Sequence, residues 1–372
     1  MELNNLRNEI SAIDEEILEL FIKRMSICSN VASYKIENGL PVFQSDREKE
    51  IINRVRDASP DWLKNSAEVL FNSIMDISKC KQQQQIFSEY TGIEYSRFMP
   101  DEKFRIGCQG IDGAYSHTAA KKLFSNPDNE ISFFETFDDV FKAVSCGEIE
   151  YGILPIQNST AGSVYQTYEL LRKYELFIVA GVSVKVSHCL CAKSGSKLSD
   201  IKKVYSHEQA LLQCSEFIKD NSIEPVTYLN TALAGKFVSD KDGCGAICSE
   251  ESANLYGLDI LSRSIANADE NYTRFICISK KVNVSENADV ISVSLSLPHM
   301  TGALYRLLTK FSVIGLNLLR IESKPIASKD FNVIFYLDFA GSIKQPEVLQ
   351  IIEALKSELS YFKFLGNYSE VK

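Results

Sequence analysis

A chain of 372 residues with 45% hydrophobic and 24% charged residues is long enough for two or three cores of ordinary soluble composition. Its net charge of -9 argues against a general nucleic-acid binder, while local cation clusters can still hold small anions. No apolar run is long enough to span a bilayer, and Met1-Glu2-Leu3-Asn4-Asn5 lacks the basic and apolar parts of a secretory signal. The expectation is a cytoplasmic protein whose partners include no membrane and no nucleic acid. The 10 cysteines are scattered, and Cys189-x-Cys191 is too close for a typical zinc pair. They read as reduced, mostly structural thiols. His117, His188, His207 and His299 form no ligand motif, so no metal site is expected, and no cofactor.

Residues 1–38 contain neither Gly nor Pro, and Leu3, Leu6, Ile10, Ile13, Ile17, Leu20, Phe21, Ile27 and Val31 recur at helical steps. This predicts one long helix that stops at Asn38-Gly39-Leu40-Pro41. A second helix starts at Ser45-Asp46-Arg47-Glu48, a capping-box pattern, and runs to about Ala58. A third starts at Ser59-Pro60-Asp61, continues through the Gln82–Gln85 run and ends at Thr91-Gly92. Residues 1–92 therefore read as all-helical. From 103 to 282, short β-branched or aromatic runs alternate with helical stretches. Examples are Phe104–Cys108, Ile131–Phe134, Tyr151–Pro155, Phe177–Val186, Val226–Leu229, Gly245–Cys248 and Arg274–Ser279. That alternation predicts an α/β domain with mostly parallel strands. From 289 to 372 the order is strand Val290–Leu297, helix Thr301–Val313, strands Leu316–Glu322 and Phe331–Phe339, helix Gln345–Leu359 and strand Phe362–Tyr368. That is the ferredoxin-like βαββαβ unit.

The first helix carries Arg7, Arg24 and Lys35. Arg24 and Lys35 are 11 residues apart, about 20° in azimuth, and share a face. Arg7 lies about 25 Å up the axis from Arg24 and about 100° around it, too far for both to grip one small ligand. Either Arg7 is a solvated surface residue, or it serves a neighbouring chain's site in an antiparallel dimer. Two shorter helices cannot cover the apolar stripe of so long a helix, and dimerisation would. In the middle region, Gly110–His117 and Leu154–Ser163 are polar turns at strand ends, which suit a small anion.

The wording of these segments goes further. Leu6–Asp14, with Arg24, Lys35, Pro41, Asp46-Arg47-Glu48, Ser78 and Gln82, resembles the all-α chorismate mutases. The resemblance implies a domain-swapped helical dimer with Arg7 donated across the interface. In it, Arg7 and Arg24 bind the carboxylates of chorismate with Arg47 in support. Lys35 and Gln82 donate to the breaking ether oxygen, Ser78 lies one turn from Gln82 on the same face, and Glu48 takes the hydroxyl. Arginine's planar fork suits a carboxylate, and a rearrangement needs positioning and charge stabilisation, with no nucleophile. Gln44 stands where an acid is expected. Gly113-Ala114-Tyr115-Ser116-His117, Leu154–Ser163, Ser206–Ala210 with Gln213-Cys214, and Thr273-Arg274-Phe275 resemble prephenate dehydratase, in order across about 175 residues of chain. The implied fold is two lobes like a type 2 periplasmic binding protein, with the site between them. There Thr273 is the acid near the departing hydroxyl, Arg274 a carboxylate partner, and Asn158, Ser159, Thr160, Gln213, Ser116 and His117 polar contacts. A hydroxyl is a weak acid, and chemistry alone points first to a histidine. Cys214 reads as a packed thiol. Gln157 replaces the usual Glu, and Glu208 the usual Pro.

Gly302-Ala303-Leu304 and Glu322-Ser323-Lys324-Pro325 resemble the phenylalanine-binding motifs of the ACT regulatory domain, with Lys324 for the usual Arg. The whole implies a bifunctional chorismate mutase/prephenate dehydratase of phenylalanine biosynthesis, a homodimer or higher homo-oligomer, inhibited by phenylalanine and binding chorismate and prephenate. Two rivals are a monofunctional dehydratase with a non-catalytic helical domain, and a non-enzymatic sensor on the periplasmic-type fold.

Overall fold

The computed structural model describes residues 3–40, 45–86, 93–268, 270–325 and 333–371. Pro41, Gln44, the Thr91-Gly92 stop and the start of the strand expected at Phe331 lie outside the described residues, as does the Ser45 side chain. The chain packs into two compact units. One is made of Met1–Ile93 with Ile291–Phe364, the other of Glu94–Val290 with Leu365–Lys372. The first and third expected regions are thus one unit, and the last eight residues join the middle region.

In the first unit, α1 (Leu3–Glu37), α2 (Ser45–Ala58) and α3 (Lys64–Ile86) are the three helices expected. Gly39 takes a φ of 62° just past the end of α1, where a side chain would be strained. α1 packs on α3, and so does α2. Within the chain α1 fully buries only Ala32 and Lys35. Ile10, Ile13, Ile17, Leu20 and Ile27 are each more than half exposed. A helix this apolar is normally covered.

In the second unit, β1 (Ser96–Arg97), β2 (Arg105–Gln109), α4 (Tyr115–Leu123), β3 (Glu130–Phe134), α5 (Phe137–Cys146), β4 (Tyr151–Asn158), β5 (Gly162–Ser163), α6 (Tyr165–Lys173) and β6 (Phe177–Lys185) come first. β7 (Cys189–Lys193), β8 (Lys203–Ser206), α7 (Glu208–Gln213), α8 (Ser215–Asp220), β9 (Glu224–Thr227), α9 (Thr231–Val238), β10 (Cys244–Cys248), α10 (Glu250–Leu255) and β11 (Leu258–Ser262) follow. β12 (Tyr272–Ser279) and β13 (Asn283–Val284) close the segment.

These strands form two main sheets, hence two lobes. One has the order β11-β7-β10-β8-β9. The other runs β18-β6-β12-β4-β2-β3, with β5 on β4 and with β18 from the chain's last residues. The chain leaves the second sheet after β6 and returns at β12, so two crossings join the lobes. The expectation of mostly parallel strands needs correcting. β12 runs antiparallel to both β4 and β6, and β7 antiparallel to both β10 and β11. A strand that returns from the other lobe enters the sheet from the opposite end, so the crossings force mixed sheets. Each lobe has its own core, around Ile106, Ile153 and Cys277 in one and Leu190, Val204 and Ile247 in the other.

The remaining elements are β14 (Val290–Ser296), α11 (Ala303–Ile314), β15 (Leu318–Pro325), β16 (Val333–Ala340), α12 (Pro346–Glu358), β17 (Phe362–Tyr368) and β18 (Glu370–Val371). The four-stranded sheet has the order β15-β16-β14-β17, the interleaving of a ferredoxin-like βαββαβ unit. Both α11 and α12 pack against α3 within the first unit. β18 pairs in parallel with β6. Among the described residues no helix is long and apolar enough to cross a membrane.

Candidate active sites

In the helical part, the pairing of α1 with α3 brings four expected residues together. The Arg24 guanidinium donates to Ser78 Oγ, which itself donates to Ile74 O at 2.7 Å. Lys35 Nζ donates to Gln82 Oε1 at 3.3 Å, with both residues buried. An ammonium can only donate, so this bond fixes the Gln82 amide and turns its NH2 group away from Lys35. Burial pushes the Lys35 ammonium below the usual lysine range, and the charge of Glu48 pulls it back up.

Glu48 is held by Lys79, whose Nζ lies 3.1 Å from Oε1 and 3.2 Å from Oε2. Lys79 also bonds Asp76 at 2.9 Å. Asp76 is only 1% exposed, and it takes a two-pronged bond from Arg306 of α11 at 2.9 and 3.0 Å. Burial pushes its carboxyl up, but Arg306 and Lys79 outweigh burial and hold it below the usual range. Removing one partner of such a buried ion cluster costs about 3–5 kcal/mol. Lys79, Asp76 and Arg306 were not singled out from sequence. Asp76 and Lys79 are a helical i, i+3 pair beside Ser78 and were legible in principle. Arg306 is 230 residues from Asp76 and was not.

Two expected residues are not brought to this cluster. Arg47 is exposed and ion-paired with Glu50 at 2.6 Å on its own helix, so the supporting role expected for it is corrected for the single chain. Arg7 is exposed near the far end of α1, as helical geometry required.

In the second unit, a cleft of about 300 Å³ opens between the two lobes. Its lining includes Gly110, Tyr115 and Ser116 at the start of α4, His207 and Gln209 at the start of α7, and Asn230 and Thr231 at the start of α9. Three helix N-termini therefore face one space, each a source of partial positive charge. No lysine or arginine lines the cleft among the described residues.

Thr273 lies at the mouth of β12 and is oriented by a chain of amides. Asn158 Oδ1 accepts from Thr160 N at 3.1 Å and Ala161 N at 2.8 Å. Backbone N–H groups only donate, so the Asn158 amide has one possible orientation. Its Nδ2 then donates to Thr273 Oγ1 at 2.9 Å and to Asn271 Oδ1 at 2.7 Å. Thr273 Oγ1 accepts there, so its own proton is left to point elsewhere. The chain continues. Thr160 Oγ1 must donate to Asn158 Oδ1 at 2.8 Å, so it accepts from Gln213 Nε2 at 2.7 Å. Gln213 Oε1 accepts from Asn271 Nδ2 and from His188 Nε2, both at 3.0 Å. His188 is therefore the Nε2–H tautomer. Burial pushes its pKa down and keeps it neutral. It lines the cleft and was missed as a site residue, because a lone histidine between two strands carries no sequence signal.

The other expected residues divide. Asn158, Gln213, Ser116 and Thr273 line the cleft. Thr160 supports it as described. Ser159 ties the strand ends together instead, its hydroxyl accepting from Tyr272 N at 2.9 Å. His117 is corrected as a contact. Its Nδ1 lies 2.7 Å from Asp112 and its ring packs edge-on against Phe133, away from the lining. Arg274 is also corrected. Alternate residues of a strand face opposite sides, so Thr273 and Phe275 reach the cleft while Arg274 points behind the sheet. There it donates to Glu370 at 2.6 Å and to the Tyr368 hydroxyl at 2.7 Å, pinning β18. Burial pushes the Cys214 thiol up to about 12, as suits packing and not nucleophilic chemistry.

On the βαββαβ part, Gly302 precedes α11 with a φ of 79°, which a residue with Cβ rarely adopts. Ala303 and Leu304 form the first turn. Glu322 and Ser323 alternate in facing on β15, an edge strand of its sheet, with Glu322 half-buried and Ser323 exposed.

A cation cluster among helices in one unit and a cleft polarised by helix ends in the other define an enzyme with two sites for small anions. The comparisons agree. The chorismate mutase type II family matches residues 6–83, and the prephenate dehydratase family residues 106–283. A bifunctional chorismate mutase/prephenate dehydratase from Aquifex aeolicus is 29% identical over 369 residues, 99% of this chain and 98% of its own. An arogenate dehydratase/prephenate dehydratase from Arabidopsis thaliana is 36% identical over 292 residues, 74% of each chain. The crystal structure of prephenate dehydratase from Arthrobacter aurescens in complex with L-Phe superposes with a TM-score of 0.65 at 27% identity, over 71% of this chain and 89% of that one. The chain belongs to the bifunctional chorismate mutase/prephenate dehydratase family.

Proposed function

We propose that the helical part rearranges chorismate to prephenate, that the two-lobed cleft turns prephenate into phenylpyruvate, and that phenylalanine bound to the βαββαβ part inhibits the enzyme. The first step breaks an ether C–O bond and forms a C–C bond with no proton transfer. Arg24, oriented by Ser78, holds a carboxylate, and Lys35 with the Gln82 amide stabilises the charge that develops on the ether oxygen. Glu48 accepts from the substrate hydroxyl. A second carboxylate is left to Arg7 of another chain. The apolar face of α1 supports that pairing, since each Leu or Ile taken out of water contributes about 1.5–3 kcal/mol.

In the second step the C–CO2 bond breaks, its electrons aromatise the ring, and the ring hydroxyl leaves as water after taking one proton. Thr273 supplies that proton. The single observation that carries this role is the amide chain fixing Asn158 as donor to Thr273 Oγ1. That bond polarises the hydroxyl and stabilises the oxygen as its proton departs. The dianionic substrate is held by the N-terminal turns of α4, α7 and α9 in place of arginine.

Phenylalanine sits at Gly302-Ala303-Leu304 and Glu322-Ser323, in an ACT regulatory domain that pairs with a second copy. The Arthrobacter relative is seen with L-Phe, and Leu304, Leu319 and Ile321 are exposed here as a paired surface requires. The site of action is the cytoplasm. The test is to feed chorismate and follow prephenate and phenylpyruvate together, with and without phenylalanine. Both products should appear, and phenylalanine should lower the phenylpyruvate rate. Unconsumed chorismate with turnover of added prephenate would make the helical part a dimerisation element only.

A further inference from the structure

Arg306 lies four residues past Gly302 on α11, one turn from the effector motif. Its Nε and Nη2 grip Asp76 at 3.0 and 2.9 Å, and Nη2 lies 3.5 Å from Glu48 Oε2. Lys79 bridges the same two carboxylates. Two anions from α2 and α3 are thus balanced by one cation from α3 and one from α11. A guanidinium fork fixes both distance and plane, so Asp76 cannot follow a moved Arg306 without shifting α3. Nor can a carboxylate as buried as Asp76 be left with half its compensation. A second tie lies along the same helices. Lys310 of α11 pairs with Glu358 of α12, which accepts from Gln83 of α3 at 3.2 Å. Gln83 adjoins Gln82. A displacement of the first turns of α11 therefore arrives at Glu48 and at the helix bearing Ser78 and Gln82.

We propose that Arg306 is a positioning residue of the mutase, contributed by the C-terminal region, and that it couples effector occupancy at Gly302–Leu304 to the placement of Glu48. This rests on the reading above that α11 begins a phenylalanine site and that Glu48 serves chorismate. Bound phenylalanine re-angles the start of α11, Arg306 draws on Asp76 and Glu48, and the mutase slows. The dehydratase cleft contains none of these residues, so its inhibition does not pass through Arg306.

The experiment uses the full chain and titrates phenylalanine against both reactions in wild type, Arg306→Gln, Arg306→Lys and the double variant Arg306→Gln with Asp76→Asn. The double variant leaves no unpaired buried carboxylate and answers the case in which Arg306→Gln does not fold. Arg306→Gln and the double variant should raise the half-inhibiting phenylalanine concentration for the mutase about tenfold and leave that for the dehydratase within about twofold. The KM for chorismate should rise, and Arg306→Lys should recover part of both effects. A double variant whose mutase keeps the wild-type phenylalanine response overturns the proposal. So does a wild-type mutase rate that stays flat while the dehydratase rate falls, although the effector reading then stands. Flat curves for both reactions overturn the two together.

Discussion

In the cleft between the lobes, the amides of Gln213, Asn271 and Asn158 and the Thr160 hydroxyl each have their orientation dictated by a neighbour, and all of them come from one chain. In the helical part, the cations on α1 reach only some of what the rearrangement needs. Arg24 and Lys35 meet Ser78 and Gln82, but Arg7 is about 25 Å away along the same helix, Arg47 turns to Glu50, and Glu48 is steadied from α11. A dehydration requires one proton placed accurately beside one oxygen, and a rigid hydrogen-bonded strand end supplies it. A rearrangement requires positive charge on all sides of a compact dianion, and one helix face cannot surround its ligand.

That contrast can be broken at several points. Thr273→Ala should lower dehydratase kcat by about 10²–10⁴-fold, the usual weight of a positioned acid, and leave chorismate consumption unchanged. A loss smaller than tenfold would move the acid elsewhere in the cleft. Arg24→Ala should lower mutase kcat/KM by about 10²–10³-fold with the dehydratase intact. Asn158→Asp sharpens the cleft side. A carboxylate still accepts from Thr160 and Ala161 but cannot donate to Thr273, so kcat should fall about tenfold, and its charge, lining the cleft, should also raise the KM for the dianionic substrate. The smallest effect is a shift of pH profile. Lys35 works as an ammonium, and burial lowers its pKa. Mutase activity should therefore fall as pH rises, with a midpoint below the ordinary lysine value of 10.5. Lys35→Arg should carry that fall to higher pH.

Much of this was legible in the residues. The unbroken 3.6-residue stripe marked α1, and the strand–helix order from residue 289 onward marked the βαββαβ unit. The spacing of Arg24 and Lys35 placed them on one face, and that of Ser78 and Gln82 on another. What was not legible depends on facing and on long-range pairing. Thr273 and Arg274 are adjacent in sequence, yet the pleat sends one to the cleft and the other to Glu370. The antiparallel entry of β12 follows from a crossing between lobes that no local pattern encodes. His188 and Arg306 matter through partners 25 and 230 residues away, beyond the reach of periodicity.

The most direct test of the central claim, that the mutase site is shared between chains and the dehydratase site is not, is complementation. Arg7→Ala chains and Arg24→Ala chains, each nearly inactive as mutases, are mixed, unfolded and refolded together. If Arg7 crosses to a partner, every mixed dimer contains one intact site. The mixture should then regain about a quarter of wild-type mutase activity, while dehydratase activity stays at the wild-type level throughout. A mixture no more active as a mutase than either variant alone would contradict the account.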